Sequence, residues 1–450
     1  MKKTRRNGKE KIMDRRYMLP KMEKIWSYLT KFTNWAKIEI EVMRAKKTIG
    51  ELPDIEIPDN LLKTITIDPE KIHRIEHDPV TGTGHDVVAF LKHTSEQLPK
   101  ELRPHWHRQL TSYDPQDTGL SMQLVASVNL ILEELEKAMQ AVKEKAIQYK
   151  NSVMMGRTHG VHAEIITFGV KLANWYDELN RHKKRLERLR TTLAVGKISG
   201  AVGMYTLDPR IEKLVCAELG LQPITTTQII SRDLIAEYIS TLAIIGGSLQ
   251  KFGVCARTLQ RTEILEAMEF FSKTQRGSSA MPHKKNPKDG EKICGLVRLL
   301  RGYAVVALEN QETWDERSLD NSSPERVILP DASYVLYYIL TCFTKNVSNW
   351  IIYPEKMKAN INLTKGLIFS QDVQSLFTNE NGLPREEACD IICQIAQQCW
   401  ENGEEFIDVL CSDSRINKHL TREQLLPCFQ IEPKIKYVNH IFERIFGNEI

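Results

Sequence analysis

A chain of 450 residues, 42% hydrophobic and 27% charged, has the composition of a globular protein and is too long for one ordinary core. Its 62 Lys and Arg stand against 58 Asp and Glu, and a net charge of +4 gives no basis for a nucleic-acid-binding protein. The 9 cysteines are scattered, odd in number and free of any Cys-x-x-Cys pair, which argues against a disulfide framework and for a reducing, cytoplasmic setting.

From the N-terminus, Lys2, Lys3, Arg5, Arg6, Lys9, Lys11, Arg15 and Arg16 face only Glu10 and Asp14, so residues 1–15 read as a basic, disordered extension. No apolar run follows it as in a signal peptide, and Met13 is an alternative start. Ser121 to Met155 contains neither glycine nor proline. Within it Leu124, Val128, Ile131, Leu135, Ala138, Val142 and Ala146 recur at spacings of three and four, the apolar stripe of a long helix. Val170 to Val195, Arg232 to Ile245, Val254 to Arg276 and Ser333 to Tyr353 read the same way, with Trp175, Leu179, Leu186 and Leu189 as core. Long helices in succession predict an all-α bundle. Its boundaries are expected near 112 and 360, dividing the chain into 16–111, 112–360 and 361–450. The apolar stretches fall short of a membrane span; even Tyr334 to Phe343 is soon interrupted by Lys345.

The densest punctuation is Gly277-Ser278-Ser279-Ala280-Met281-Pro282-His283-Lys284-Lys285-Asn286-Pro287. Two prolines remove backbone donors and disfavour helix before them, so the chain leaves a helix here for a loop crowded with hydrogen-bonding groups. Loops of this kind on a rigid scaffold carry binding and catalytic residues, whereas a plain inter-helix connection seldom concentrates so many. A second candidate is His159, in Arg157-Thr158-His159, since imidazole titrates near neutrality; a lone histidine is more often structural. His159-x-x-His162 has no third ligand at credible spacing, so no metal is expected.

The loop resembles the signature GSSxMPxKxN of the fumarase/aspartase superfamily. Met154 to Glu164, Gly196 to Gly203, Arg16-Tyr17, His85 to Phe90, Leu110-Thr111-Ser112 and Ser322 to Arg326 resemble the adenylosuccinate lyase family in its shorter bacterial form. The resemblance keeps its order from about Arg16 to Arg444. It implies a three-segment, all-α lyase fold whose central long helices form a homotetramer core, with active sites shared between subunits. It also implies a β-elimination that releases fumarate from an anionic nucleotide, without cofactor, nucleic acid or membrane.

Such a reaction needs a base for a proton beside a carboxylate, an acid for the leaving nitrogen and cations for the developing charge. By the resemblance Ser278 is the base, His159 the acid, and Lys284 a cation that stabilises the Ser278 alkoxide. Glu291 orients a neighbouring histidine or lysine. His85 and His107 contact substrate or assist the acid, and Asp86 follows His85 in that motif. Ser279 binds substrate, Asn286 holds a carboxylate of the succinyl group, Gln228 contacts that group through its amide, and Thr111 and Ser112 hold a carboxylate or phosphate. Arg16, Tyr17, Arg317, Ser322 and Arg326 hold its anionic ends.

Three places depart from the family pattern. Gly84 stands where an arginine is usual, after an apparent insertion Thr81-Gly82-Thr83. His107-Arg108-Gln109 replaces His-Tyr-Gly, and Lys292 replaces an asparagine. Arg108 or Lys292 is a candidate for the missing charge. The alternatives are another lyase of the superfamily with a different succinyl substrate, or a non-catalytic paralogue.

Overall fold

The computed structural model describes residues 13–272, 274, 280–381 and 384–447. Residues 1–12 of the expected extension, and the candidate residues Ser278 and Ser279, lie outside them. The elements used below are, in chain order, α1 (Tyr28–Thr48), α2 (Pro69–His77), α3 (Asp86–Ser95), α4 (Tyr113–Gln148), the strands β1 (Val153–Thr158) and β2 (Val161–Thr167), and α5 (Phe168–Leu193). There follow α6 (Asp233–Leu259), β3 (Ala267–Met268), α7 (Lys288–Glu309), α8 (Ser322–Asn349), β4 (Ile351–Ile352), α9 (Arg385–Asn402) and α10 (Val438–Phe446). Among the described residues the fold is helical, with strands confined to two-stranded pairs.

Two compact units partition these elements. The first takes residues 13–136, 181–250 and 292–342. Its N-terminal core gathers Phe32, Trp35, Phe90 and Trp106, with Trp35 edge-on to Phe90 at 5.5 Å. The stripe read from the sequence is inside: Val128, Ile131 and Leu135 are each 0% exposed. Polar crosslinks fix its helices. Arg232 donates to Asp117 at 2.8 Å and to Glu325 at 2.9 Å, all three buried, and the Tyr238 hydroxyl is 2.7 Å from that of Ser333.

The second unit takes 137–180, 251–291 and 343–447. Here Trp175 stacks on Phe252 at 4.4 Å, within reach of Phe343 and Trp350, so it is core as expected. A separate cluster from Val373 to Leu425 includes Ile392, Ile395 and Cys399 of α9, and α10 buries Phe442 and Phe446. Antiparallel β1 and β2 form a hairpin, and β3 pairs with β4.

Several helix boundaries differ from expectation. The helix placed at 121–155 starts at Tyr113 and stops at Gln148. Pro115 is harmless in a first turn, where its missing donor would have no partner, and Gly119 is needed because a Cβ there would meet the Trp35 ring at 3.0 Å. The helices placed at 232–245 and 254–276 are one, α6, running through Gly246, whose absent side chain admits Leu300 of α7. From Gln260 to Ser272 the expected helix is lost, and residues 273, 275 and 276 of the expected span lie outside the described residues. Leu265 takes φ +43, and the chain extends into β3 to pair with β4, so tertiary pairing overrides a locally helical composition. The helix placed at 333–353 begins at Ser322 and contains Pro330.

Contrary to the expectation of no span-length segment, α6 and α8 are long and apolar enough to cross a bilayer by length and composition. Half and two thirds of their apolar windows, 50% and 67%, are buried within this chain, as in core helices.

Candidate active site

Around the start of α4, the first unit assembles most of its predicted site residues. Thr111 and Ser112 immediately precede a 36-residue helix, where backbone donors and the helix dipole favour an anion. The turn is anchored from beneath. Asp114 accepts the Thr111 N–H at 2.8 Å and the Gly200 N–H at 3.2 Å, and pairs with the fully buried Lys197 at 2.8 Å. Lys197 also donates to the carbonyls of Gly200 and Gln228 at 3.0 and 2.9 Å. One buried cation therefore ties Gln228 and the Gly196–Gly203 segment to the α4 N-terminus.

His85 caps α3. Its Nδ1 accepts the Val87 N–H at 3.2 Å, and its Nε2 faces the Ser112 hydroxyl at 3.4 Å. Asp86, next in the chain, lies 3.2 Å from Lys31 Nζ and 3.8 Å from Arg326. Burial works to raise the Asp86 pKa, but Lys31, Arg326 and His85 outweigh it and hold the carboxyl below its ordinary value. Burial pulls Lys31 down despite Asp86. Arg317 stacks over the Tyr113 ring at 3.8 Å, a cation–π contact. Burial pushes the Tyr113 hydroxyl up, against a hydrogen bond with Ser322 and the charge of Arg317. His85, Asp86, Thr111, Ser112, Arg317, Ser322 and Arg326 are thus joined through direct contacts or one shared neighbour. The described contacts of Arg16 and Tyr17 run instead to Asp14 at 3.5 Å and to the Tyr338 ring at 5.1 Å.

His107 is held by a group the sequence did not single out: Glu39 of α1, only 1% exposed, lies 2.6 Å from its Nδ1. The departures from the family pattern also acquire a physical account. Gly84 takes φ +61, which an arginine adopts poorly, so the inserted turn and the glycine belong together. Gln109 keeps a left-handed φ of +69 where glycine is usual, steadied by Lys46 at 3.2 Å and the Thr206 carbonyl at 3.3 Å. Arg108 is exposed; the cations that meet Asp86 are Lys31 and Arg326.

In the second unit His159 and Gly160 form the two-residue turn of the β1–β2 hairpin, with φ +55 and +81 and with Thr158 paired to Val161. Two successive positive φ values identify a type I′ turn, which lifts the His159 ring onto an exposed tip. A bulge between Met155 and Arg157 re-aims the strand at Gly156, where a Cβ would meet the Glu164 carbonyl at 2.7 Å. Arg157 then forms a two-point ion pair, at 2.9 and 2.7 Å, with Glu266, which also accepts from Asn360 at 2.8 Å. His162 is half-buried, its Nδ1 has no hydrogen-bond partner among the described residues, and burial followed by Arg157 lowers its pKa.

Lys284, Asn286 and Glu291 share the segment that leads into α7. Lys284 is exposed in the turn, and Glu291 is exposed on the first helical turn. Gln260 holds the segment by donating to the Lys285 carbonyl at 2.8 Å, and Glu269 accepts the Asp289 and Gly290 N–H groups. Neither Gln260 nor Glu269 was expected. Their partners are distant in sequence, and their own neighbourhood reads as uninterrupted helix.

Residues 21–302 match the family described as lyase, and residues 366–445 match that described as adenylosuccinate lyase C-terminus. The chain is 44% identical over 436 residues to adenylosuccinate lyase of Synechocystis, covering 96% of this chain and 100% of the relative. It is 43% identical to that of Bacillus subtilis, covering 96% and 99%. Among solved structures, a fumarate lyase from Mesorhizobium superposes with TM-score 0.86 at 23% identity over 96% of this chain and 99% of that one. A 3-carboxy-cis,cis-muconate lactonizing enzyme from Pseudomonas putida gives 0.83 at 24%, over 95% and 96%. The structural likenesses establish the fold, while full-length identity above two fifths goes further: the chain belongs to the adenylosuccinate lyase family of fumarase/aspartase-type lyases.

Proposed function

We propose that this protein eliminates fumarate from adenylosuccinate to give AMP, and from the succinylated aminoimidazole carboxamide ribotide of purine biosynthesis. The observation that carries the reading is the anion-ready cluster at the α4 N-terminus, where an imidazole, two hydroxyls and nearby guanidinium groups gather in a chain of this family. Ser278 removes the proton beside the succinyl carboxylate. The electron pair left behind forms the fumarate double bond as the carbon–nitrogen bond breaks, and His159 protonates the departing nitrogen. Lys284 stabilises the Ser278 alkoxide and Asn286 binds a carboxylate with Ser279, while Glu291 orients its basic neighbour. His85, Thr111, Ser112, Arg16, Tyr17, Arg317, Ser322 and Arg326 hold the nucleotide, with the Gln228 amide on the succinyl group.

The working form is proposed to be a cytoplasmic homotetramer with sites drawn from several subunits. Exposed Leu299, Val305 and Leu308 on α7 support helix-to-helix assembly. The division into 16–111, 112–360 and 361–450 is likewise proposed, supported by separate apolar clusters at Phe32–Trp106 and Val373–Leu425.

The deciding assay follows ultraviolet absorbance after adding purified protein to adenylosuccinate, argininosuccinate or malate. Turnover of the first alone is expected. Turnover of another substrate alone would select the alternative lyase, and none at all the non-catalytic paralogue.

A further inference from the structure

His85 and His107 differ in how firmly their partners fix the ring hydrogen. Nδ1 of His85 shares the Val87 N–H with the closer Asp86 Oδ1, at 3.2 and 2.9 Å, and itself lies 3.5 Å from that carboxylate oxygen, so its contacts select no single tautomer. Its Nε2 faces the Ser112 hydroxyl at 3.4 Å. At His107 the partner of Nδ1 is a carboxylate oxygen of Glu39, 2.6 Å away, and a carboxylate accepts only. Nδ1 therefore carries the hydrogen, and Nε2 of the neutral ring is a bare acceptor.

Glu39 also fixes the backbone. Its second oxygen accepts the His107 N–H at 3.0 Å, where the residue holds a left-handed φ of +58. Such a conformation costs about 1–3 kcal/mol in a non-glycine residue and persists where its surroundings over-determine it. Lys46 supplies further restraint, donating to the carbonyl of the next residue, Arg108, at 2.7 Å. Both oxygens of one buried side chain thus clamp both the ring and the main chain of a residue shortly before the Thr111-Ser112 turn.

We propose that Glu39 is a positioning residue, fixing His107 with Nε2 as an acceptor for a hydroxyl or amine N–H of the substrate. The assignment rests on the function proposed above. Its test compares kcat and KM on adenylosuccinate for E39A, E39Q, H107A and E39A/H107A in the full chain, with circular dichroism and assembly size as folding controls. Losing the aligned hydrogen bond should cost about tenfold in kcat/KM in E39A and in H107A. E39Q retains an acceptor for Nδ1–H but turns its NH2 toward the His107 backbone N–H, so it should recover only in part, to within about fivefold of wild type. Because Glu39 acts through His107, the double variant should be no worse than H107A. Multiplying losses in the double variant, or an E39A enzyme within about twofold of wild type, would overturn the proposal. If E39A fails to fold, E39Q in the H107A background makes the same comparison. A readout independent of turnover is histidine 15N NMR, with His107 assigned by its absence in H107A. Hydrogen on Nδ1 with a bare Nε2 in wild type, lost in E39A and kept in E39Q, supports the wiring; the reverse tautomer or a doubly protonated ring in wild type overturns it. An inactive wild type with the expected tautomer would count against the proposed function alone.

Discussion

Glu269 closes the first turn of α7 across a gap of some twenty residues: its Oε1 accepts the Gly290 N–H at 2.8 Å, and its Oε2 accepts the Asp289 N–H at 3.1 Å. The side chain is 5% exposed, and Asn346 donates to it at 3.0 Å. Burial raises its pKa, while the backbone donors of Gly290 and Asp289 oppose the rise. The carboxylate thus serves as a remote helix cap beside Lys284, Asn286 and Glu291. Glu269→Gln removes a buried charge and keeps one acceptor oxygen but turns its NH2 toward the other backbone N–H, so it should cost about 1–2 kcal/mol. Glu269→Ala strands two helix-end donors and should cost about 2–3 kcal/mol, with a larger fall in kcat than in KM. Denaturant unfolding beside steady-state kinetics measures both; equal costs for the two variants would remove Glu269 as a cap.

Lys197 offers a second test of how the site is underpinned. Fully buried, it meets Asp114 and two carbonyls, and Asp114 in turn holds Thr111. Lys197→Met leaves a buried carboxylate without its cation and should destabilise by about 3–5 kcal/mol. Lys197→Met with Asp114→Asn should recover part of that loss, because no unpaired charge remains. Absence of recovery would mean that the carbonyl contacts, rather than the ion pair, hold the turn.

How much of this was legible in the sequence follows from the range of each interaction. Apolar spacing from Leu124 to Ala146 located a helix because core-facing periodicity is local. The ends of α4 escaped because Pro115 and Gly119 look like breakers until the free first-turn donor and the Trp35 ring are seen. Residues 260–272 misled for the converse reason: their composition permits helix, but β3 pairs with β4 and Glu266 meets Arg157. Among the site residues, motif matching reached His85, Ser112 and Arg326. It could not reach Lys31, Glu39, Lys197 or Glu269, whose function lies in a partner far along the chain. Nothing in a single sequence marks one buried glutamate among many helical ones.

Asp331 supplies a pH prediction. Burial pushes its carboxyl up to about 6, against a hydrogen bond from the Tyr303 hydroxyl at 3.3 Å. A carboxyl with a folded pKa above its unfolded value of about 3.9 holds its proton more tightly in the native state. Its effect on stability is absent below about pH 4, grows as pH rises, and becomes a full penalty above about pH 6. That penalty is worth about 2–3 kcal/mol at most. Asp331→Asn keeps an acceptor for Tyr303 and cannot ionise, so it should be more stable than wild type at about pH 8 and closer to it at about pH 5. Thermal unfolding at the two pH values measures this; a stability difference unchanged with pH would refute it.

The hairpin tip separates folding from chemistry at His159. Asn-Gly is the favoured pair for a type I′ turn, so His159→Asn should hold or slightly raise the unfolding temperature. His159→Ala must put an alanine at φ near +55 and should lose about 1 kcal/mol. If His159 is the acid, both variants should lose nearly all turnover, since neither side chain delivers a proton near neutral pH. An Asn variant that folds as wild type does and keeps more than a few per cent of turnover would remove His159 from the role. The same variant tests assembly when unfolded, mixed equally with Ser278→Ala and refolded. A site drawing its histidine from one subunit and its serine from another regains both in about a quarter of cases under random assembly. A site built within one chain never regains both, because every chain carries one defect. Recovery from two inactive parents would support sites shared between subunits; failure despite demonstrated hybrid oligomers would rule them out.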